Sequence, residues 1–246
     1  MNVRIHRSAE DVASAVAHDV AGAIARNPSL SLGLPAGRTP IPLYRELVSV
    51  TRNRPLDWSG VRTFNLDEFI TPTADGPQPF AQFMHDHLLS RVPVAPDYVN
   101  ALNGRAADFQ AECDRYERAI ASAGGLDLML LGIGANGHIG FNEPGTPMDS
   151  RTHIATLTPA SRAANAWLFG NQIESVPARA LTMGLATILG ARAIILVAMG
   201  EAKAAAVAAM RHGAVTSALP ASLLQTHADV TIVLDEAAAG SAAPIK

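Results

Sequence analysis

The sequence predicts an α/β protein built on a mostly parallel β-sheet with helices on both faces. Short runs of apolar residues alternate with segments of helical length along the 246 residues, a pattern typical of strands covered by helices. Apolar residues make up 48% of the chain and charged residues 17%, which indicates a globular protein. No internal repeat or low-complexity linker interrupts the chain, so a single domain over residues 1–246 is expected.

Caps, apolar periodicity and breakers predict the individual elements. A capping signal at 8–11 begins a helix with apolar residues at every fourth position from Val12 to Ile24. The apolar run 29–34 ends at Pro35 and predicts a strand, and Thr39 followed by Pro40 predicts the start of the next helix. Further strands are predicted at 61–69, 126–132, 193–199 and 230–234, and further helices at 79–89, 106–123, 182–189 and 201–212.

Charge and composition exclude several classes of protein. The net charge of −3 provides no basic field for a nucleic acid, so no nucleic-acid partner is expected. The apolar runs are too short to cross a bilayer, so no membrane partner is expected. Residues 1–10 contain no apolar stretch of the secretory type, and the lone Cys113 fits a reducing compartment. A cytoplasmic protein is therefore expected.

Polar residues follow four of the predicted strands. The segments are PAGRTP at 35–40, NLDEF at 65–69, GIGANGHIGFNEPG at 132–145 and GEAK at 200–203. Because open α/β sheets bind ligands at the carboxyl ends of their strands, we expect these segments to meet. The first provides a helix start and Arg38 for an anion, and the fourth provides Lys203. Together the four segments predict a pocket for a small anionic molecule, with acid–base groups in it.

Each segment also has a purely structural interpretation. PAGRTP is also typical of a tight turn, and Asp67 and Glu68 could both be solvated acids. Neighbouring strand residues face opposite sides, so at most one of these two acids should point into a site. A lone histidine is usually structural. Here His138 lies five residues before Glu143 in a loop too rich in glycine for a helix, which favours an oriented acid–base pair.

Other motifs do not support a function. Residues 132–137 satisfy GxGxxG after a strand, but Gly140, Pro144 and Gly145 exclude the helix that a dinucleotide site requires. There is no HExxH motif or Cys/His set for a metal, and no GxSxG nucleophile elbow. Cys113, in the middle of a predicted helix, is expected to be a buried and inert thiol.

The motifs LGLPAGRTP, TFNLDEF, GIGANGHIGFNEPG, SRTHIATLT and MGEAK together resemble those of the glucosamine-6-phosphate deaminase family, which is related to 6-phosphogluconolactonase. The resemblance extends from about residue 30 to residue 235, and GHIGFNEPG favours the deaminase branch. It implies a three-layer, modified Rossmann-like fold with a doubly wound sheet. It also implies no organic cofactor and no metal, and conversion of an amino-sugar phosphate, glucosamine 6-phosphate, to fructose 6-phosphate and ammonia.

The resemblance also implies roles for single residues. Asp67 is similar to the base that moves a proton between C2 and C1 of the sugar. His138, assisted by Glu143, is similar to the group that opens the pyranose ring, and Asn136 orients that histidine. The expected contacts of the substrate phosphate are Gly37, Arg38, Thr39 and Lys203.

Three positions depart from the family pattern. Asn136 replaces an acid found in many members, and Trp167 occupies a position that usually holds a phosphate-binding arginine. Conversely, Arg38 stands where glycine or serine is usual, so we expect Arg38 to replace the missing cation from the opposite wall. Whether Trp167 covers the pocket or packs in the core stays open.

Two alternative functions remain on the same scaffold. One is lactone hydrolysis of the 6-phosphogluconolactonase type, and the other is a non-catalytic regulator that binds sugar phosphates. The sequence does not distinguish glucosamine from galactosamine 6-phosphate. It also leaves the oligomeric state open, with a homo-oligomer among the alternatives.

Overall fold

The computed structural model of the chain describes residues 1–71 and 75–240. The strands are β1 (Asn2–His6), β2 (Ser31–Leu34), β3 (Arg62–Asn65), β4 (Asp67–Phe69), β5 (Val99–Asn100), β6 (Leu128–Leu131), β7 (His153–Thr156), β8 (Arg179–Thr182), β9 (Ala193–Ala198) and β10 (Val230–Asp235). The helices are α1 (Ala9–Arg26), α2 (Pro40–Asn53), α3 (Pro79–His87), α4 (Phe109–Ser122), α5 (Pro159–Asn165), α6 (Leu185–Leu189), α7 (Ala204–His212) and α8 (Glu236–Ala239).

Seven strands form one parallel sheet in the order β1-β10-β9-β6-β2-β3-β5. Strand β2 pairs in parallel with both β3 and β6, and the chain order reverses direction across the sheet from this central strand. The predicted α/β class, with a mostly parallel and doubly wound sheet, is therefore confirmed. No helix in residues 1–71 or 75–240 combines the length and apolarity needed to cross a membrane.

Two large apolar clusters cover the two faces of this sheet. Successive residues of β6 alternate between them, since Leu128 and Leu130 join one cluster and Met129 and Leu131 join the other. Helices α1 and α2 pack on the first face, and α4, α6 and α7 pack on the second. Because strand side chains point alternately to opposite faces, both faces of a buried parallel strand must be apolar. This is why the strand signal in the sequence was a continuous apolar run.

A second, antiparallel sheet of three strands lies beside the first, in the order β4-β8-β7. The sequence predicted one strand over 61–69, which is wrong because the chain changes sheets at Leu66. Leu66 N–H donates to Leu34 O of the main sheet at 2.9 Å, and Leu66 O accepts from Met183 N–H at 2.9 Å. The predicted helix 182–189 begins later, at Leu185, because Thr182 completes β8.

Two helix starts show how the caps work. The Ser8 side chain accepts a hydrogen bond from Asp11 N–H, as predicted for the start of α1. Thr39 precedes α2 as predicted, but its backbone is already helical and its side chain makes no capping hydrogen bond. Thr39 lines the cavity described below, and its hydroxyl has no capping role.

Candidate active site

A cavity of about 680 Å³ opens at the carboxyl ends of the central strands β2 and β6. Seven of the eight residues singled out in the sequence line it, and they come from all four of the polar segments. These residues are Gly37, Arg38, Thr39, Asp67, Asn136, His138 and Lys203. The eighth, Glu143, lies just behind the wall, in contact with Asn136. Residues more than 160 positions apart in the chain therefore meet in one pocket.

Asp67 forms part of the cavity wall at the first position of β4. The residue is 6% exposed, and no described residue donates a hydrogen bond to its carboxylate. Burial, and secondarily the neighbouring carboxylate of Glu68, raise the pKa of Asp67 well above its usual value. A buried carboxylate with a raised pKa and free lone pairs is suited to accept and return a proton.

Glu68 points away from the cavity, as the alternation of strand side chains requires. Its carboxylate accepts hydrogen bonds from the backbone N–H groups of Phe69, Phe80 and Ala81, at 2.8, 3.2 and 2.7 Å. Two of these donors belong to the first turn of α3. Burial raises the pKa of Glu68 to about 7 in spite of these bonds. Glu68 is therefore a structural anchor for α3, and of the two acids only Asp67 lines the cavity.

The loop after β6 holds His138 against the cavity wall. Any side chain at Gly134 would overlap the His138 ring, so only glycine allows this packing. Gly134 N–H donates to His138 O at 2.9 Å, which closes the loop into a tight turn. The loop contains no helix, as predicted, so its GxGxxG pattern does not form a dinucleotide site.

Glu143 is held by a set of donors that the sequence did not reveal. Its carboxylate accepts hydrogen bonds from Ser161 Oγ, from Thr158 Oγ1 at 3.0 Å and from Thr158 N–H at 3.2 Å. It also accepts from Asn136 Nδ2 at 2.9 Å. Burial would raise the pKa of Glu143, but these donors and the nearby His138 lower it overall. The available signal for the missed residues was Thr158-Pro159, a helix start like that at 39–40.

The His138 ring faces this fixed carboxylate. Its Nδ1 lies 3.6 Å from Glu143 Oε2, slightly beyond hydrogen-bond length, and this buried nitrogen has no hydrogen-bond partner among the described residues. The sequence led us to expect that Asn136 orients His138, but no hydrogen bond joins Asn136 to the imidazole ring. Its Oδ1 instead accepts from the backbone N–H of His138 at 3.2 Å. Asn136 thus links the histidine backbone to the Glu143 carboxylate.

The loop 35–39 and the start of α2 form a part of the cavity that is suited to an anion, here called the anion-binding end. The loop 35–39 leads into the N-terminus of α2, where backbone N–H groups and the helix dipole favour negative charge. Gly37 has a φ of 106°, a conformation that a residue with a side chain rarely adopts. The hydroxyl of the fully buried Tyr44 donates to Pro35 O at 2.6 Å, which fixes the start of the loop.

Lys203 lines the same cavity. It lies directly before α7, where the helix dipole disfavours a cation unless an anion binds with it. No described carboxylate forms an ion pair with it. Burial lowers the pKa of Lys203 below its usual value. A partly buried ammonium group without a counter-ion provides a charge that a phosphate would neutralise.

Trp167 lines the cavity from the short turn Ala166–Phe169 and packs edge-on against Phe83, with ring centroids 6.2 Å apart. Trp167 is partly buried, and it both lines the cavity wall and packs against the apolar cluster on the α1 and α2 face of the sheet. Cys113 is buried in α4, and burial raises its pKa to about 11, so the prediction of a buried, inert thiol fits the structure. Within residues 1–71 and 75–240, no three His, Cys, Asp or Glu side chains are grouped to hold a metal ion.

Fold and cavity together define an α/β protein with an open parallel sheet, whose pocket pairs a buried carboxylate and an imidazole with an anion-binding end. The family model of glucosamine-6-phosphate isomerases/6-phosphogluconolactonase matches residues 5–233. Glucosamine-6-phosphate deaminase 2 of Giardia intestinalis is 47% identical over 239 residues, which are 96% of this chain and 90% of that protein. The chain therefore belongs to the glucosamine-6-phosphate isomerase/6-phosphogluconolactonase family.

Solved structures agree with this assignment. The structure of a monomeric glucosamine-6-phosphate deaminase superposes with a TM-score of 0.93 at 41% identity, covering 97% of this chain and 99% of that one. The 6-phosphogluconolactonase of Trypanosoma cruzi superposes with a TM-score of 0.76 at 22% identity, covering 99% and 97%. The second likeness concerns the fold alone. Of the two branches, the deaminases are the more similar to this chain.

Proposed function

We propose that this chain is an amino-sugar phosphate isomerase and deaminase that converts glucosamine 6-phosphate to fructose 6-phosphate and ammonia. The observation that supports it best is the convergence of Asp67, His138 and Lys203 on one cavity of about 680 Å³. The deaminase name of a relative 47% identical over nearly the whole chain supports the same reaction. The lactonase and regulator alternatives are not favoured by the comparisons.

The anion-binding end would hold the phosphate group. The N-terminus of α2 with Gly37 and Thr39 offers hydrogen-bond donors, and Arg38 and Lys203 offer positive charge. The sugar would then extend toward Asp67 and His138. Orienting the substrate in this way converts the later proton transfers into intramolecular steps.

His138 would open the pyranose ring by moving a proton between the C1 hydroxyl and the ring oxygen. The Glu143 carboxylate, fixed by Asn136, Thr158 and Ser161, lies 3.6 Å from Nδ1 and stabilises the ring when it carries the extra proton. Catalytic hydrogen bonds are often long without substrate and shorten when it binds. A small movement would close this gap.

Asp67 would then take the proton from C2 of the open-chain aldehyde and return it to C1 through an enediol-type intermediate. In the same rearrangement the C2 amine loses an N–H proton and the C1 carbonyl oxygen gains one, so that C1 carries a hydroxyl group and C2 an imine. Water then hydrolyses the imine to the ketone and ammonia. Because Asp67 has a raised pKa, its protonated form is accessible after the first step. The same group can therefore deliver the proton that it removed.

The reaction is tested by incubating the purified chain separately with glucosamine 6-phosphate, galactosamine 6-phosphate and 6-phosphogluconolactone. Ammonia and ketose phosphate from the first sugar support the proposal, and the second sugar tests the choice between the epimers. Acid release from the lactone without ammonia would assign the lactonase reaction instead. Phosphate binding without turnover of any of the three would assign the regulator.

We also propose a cytoplasmic location, which the single, buried Cys113 supports, and which cell fractionation tests. The oligomeric state is open between the monomer, as in the matched deaminase described as monomeric, and a homo-oligomer. The molar mass measured by light scattering on the purified protein, separated by size-exclusion chromatography, decides between the two states.

A further inference from the structure

The guanidinium group of Arg38 lies over the indole ring of Trp167. The Arg38 Cζ atom is 5.4 Å from the ring centroid, within the range of a cation–π interaction. The two residues come from separate segments, the loop 35–39 and the turn Ala166–Phe169, and both line the cavity. The side chain of Arg38 thus lies over an aromatic face at the anion-binding end of the cavity, to which its own loop belongs.

A group of aromatic residues fixes both ends of Arg38. Trp167 packs edge-on against Phe83, and Phe83 packs against Tyr44 with ring centroids 6.3 Å apart. Tyr44 also donates its hydroxyl hydrogen to Pro35 O. The same aromatic group therefore holds the backbone that leads to Arg38 and the ring on which its guanidinium rests.

The hydrogen-bonding edge of Arg38 is left free by this contact. No described residue accepts a hydrogen bond from its guanidinium, and Arg38 is absent from the ion pairs formed by residues 1–71 and 75–240. A guanidinium group has five N–H donors, and a cation–π contact with an aromatic ring leaves donors available for another acceptor. A planar edge of N–H donors matches two oxygens of a phosphate.

We propose that Trp167 is a positioning residue for Arg38, holding the guanidinium edge toward the phosphate group of the bound ligand. This inference rests on the proposed function only in requiring that the pocket take a phosphate. It assigns a role to an aromatic residue that itself carries no charge. It also explains why an exposed arginine on a loop can serve as a defined contact, since stacking limits the conformations of a long and flexible side chain.

The test compares the variants Trp167→Leu, Trp167→Phe, Arg38→Ala and the double variant Arg38→Ala/Trp167→Leu. Leucine keeps apolar packing and removes the aromatic face, whereas phenylalanine keeps that face. Titration with inorganic phosphate gives Kd, and turnover of glucosamine 6-phosphate gives KM and kcat. Circular dichroism confirms that each variant is folded before it is measured.

We expect Arg38→Ala to raise both constants about 10- to 100-fold, and Trp167→Leu to raise them about 3- to 30-fold. The kcat of each should stay within about threefold of the wild type, because neither residue contacts the reacting carbons. The double variant should be no weaker than Arg38→Ala alone, since Trp167 acts through Arg38. Trp167→Phe should recover most of the lost affinity.

A matched control is Arg62→Ala. Arg62 also lies over an aromatic ring, that of Tyr98 at 4.6 Å, but at the amino end of β3 and outside the cavity. Its Kd and KM should equal those of the wild type. The inference would be overturned if the increases in Kd caused by Arg38→Ala and Trp167→Leu multiply in the double variant. It would also be overturned if Trp167→Phe binds phosphate as weakly as Trp167→Leu.

The phosphate titration separates this inference from the proposed function. If the wild type turns over no sugar phosphate but the four variants show the expected coupling in Kd, the reaction is wrong and the role of Trp167 stands. If the wild type releases ammonia but the two sites act independently, the reaction stands and the positioning role is wrong.

Discussion

Replacing Asp67 by asparagine should abolish turnover and leave the fold intact. The change keeps the shape of the side chain and removes the group that would accept the C2 proton. Removal of a general base lowers rates about 10²- to 10⁴-fold, which corresponds to about 3–5 kcal/mol of transition-state stabilisation. Substrate binding should persist, because the proposed phosphate contacts are other residues of the cavity wall, Arg38 and Lys203 among them.

Stability should change in the opposite direction from activity. Burial raises the pKa of Asp67 above its unfolded value of about 3.9. The stability contributed by such a group is complete below the unfolded pKa and is lost as the pH rises through the folded pKa. At neutral pH the buried carboxylate therefore costs stability, and no described residue loses a hydrogen bond when it is removed. We expect Asp67→Asn to have an equal or higher Tm at pH 7.5, with a smaller difference at pH 5.

Ammonia release measures kcat, phosphate titration measures binding, and thermal unfolding at the two pH values measures stability. The control is Glu68→Gln, which changes the neighbouring acid on the opposite side of β4. This variant should keep kcat within about threefold of the wild type, because of the two acids only Asp67 lines the cavity. More than a tenth of wild-type kcat in Asp67→Asn would refute Asp67 as the base. A markedly lower Tm at pH 7.5 would refute the argument from burial.

Three further predictions concern Ser161, Lys203 and Glu68. Ser161→Ala should lower the free energy of unfolding by about 1–3 kcal/mol, because Glu143 loses a charge-assisted hydrogen bond; urea denaturation at pH 7 measures it, and an unchanged midpoint contradicts it. Lys203→Met should raise KM about 10- to 100-fold with little change in kcat, and an unaltered KM would exclude a phosphate contact. The Glu68 carboxyl, with a pKa of about 7, should make the chain less stable as the pH rises from about 5 to 8, by about 3 kcal/mol once it is fully ionised. In Glu68→Gln the slope of unfolding free energy against pH should be smaller over this range, and a slope equal to the wild type's would contradict the assignment.

The sequence sufficed to predict the five inner strands of the main sheet, because these strands are buried on both faces, but it did not predict the edge strands β1 and β5. The continuous apolar runs in β6, β9 and β10 depend on local composition alone, so they can be recognised without the partner strands. The edge strand β1 was missed because its residues Asn2–His6 are mixed polar and apolar and are partly exposed. Its strand form depends on pairing with β10, which lies more than 220 residues away in the chain.

The second sheet could not be predicted either, because its strands also depend on pairing between distant parts of the chain. Strand β4 has three residues, and its pairing of Asp67 with Thr182 joins positions 115 residues apart. No residue pattern in the sequence around Leu66 indicates that the chain passes from one sheet to another. The donors to Glu143 were also hidden, because Thr158 and Ser161 reach it only when α5 packs against the glycine-rich loop.

The change of sheet at Leu66 explains how Asp67 can be fixed in position while its carboxylate accepts no hydrogen bond from a described residue. The N–H and C=O groups of Leu66 bind the main sheet and the second sheet respectively, so the backbone that precedes Asp67 is fixed by two sheets at once. The side chain of Asp67 therefore needs no hydrogen bond of its own to be held in place, and none is donated to it by a described residue. By contrast, Glu143 is held by four donors to its carboxylate, which lower its pKa and make it a poor proton acceptor. Backbone anchoring suits a carboxylate that must exchange a proton, and side-chain anchoring suits one that must keep its charge.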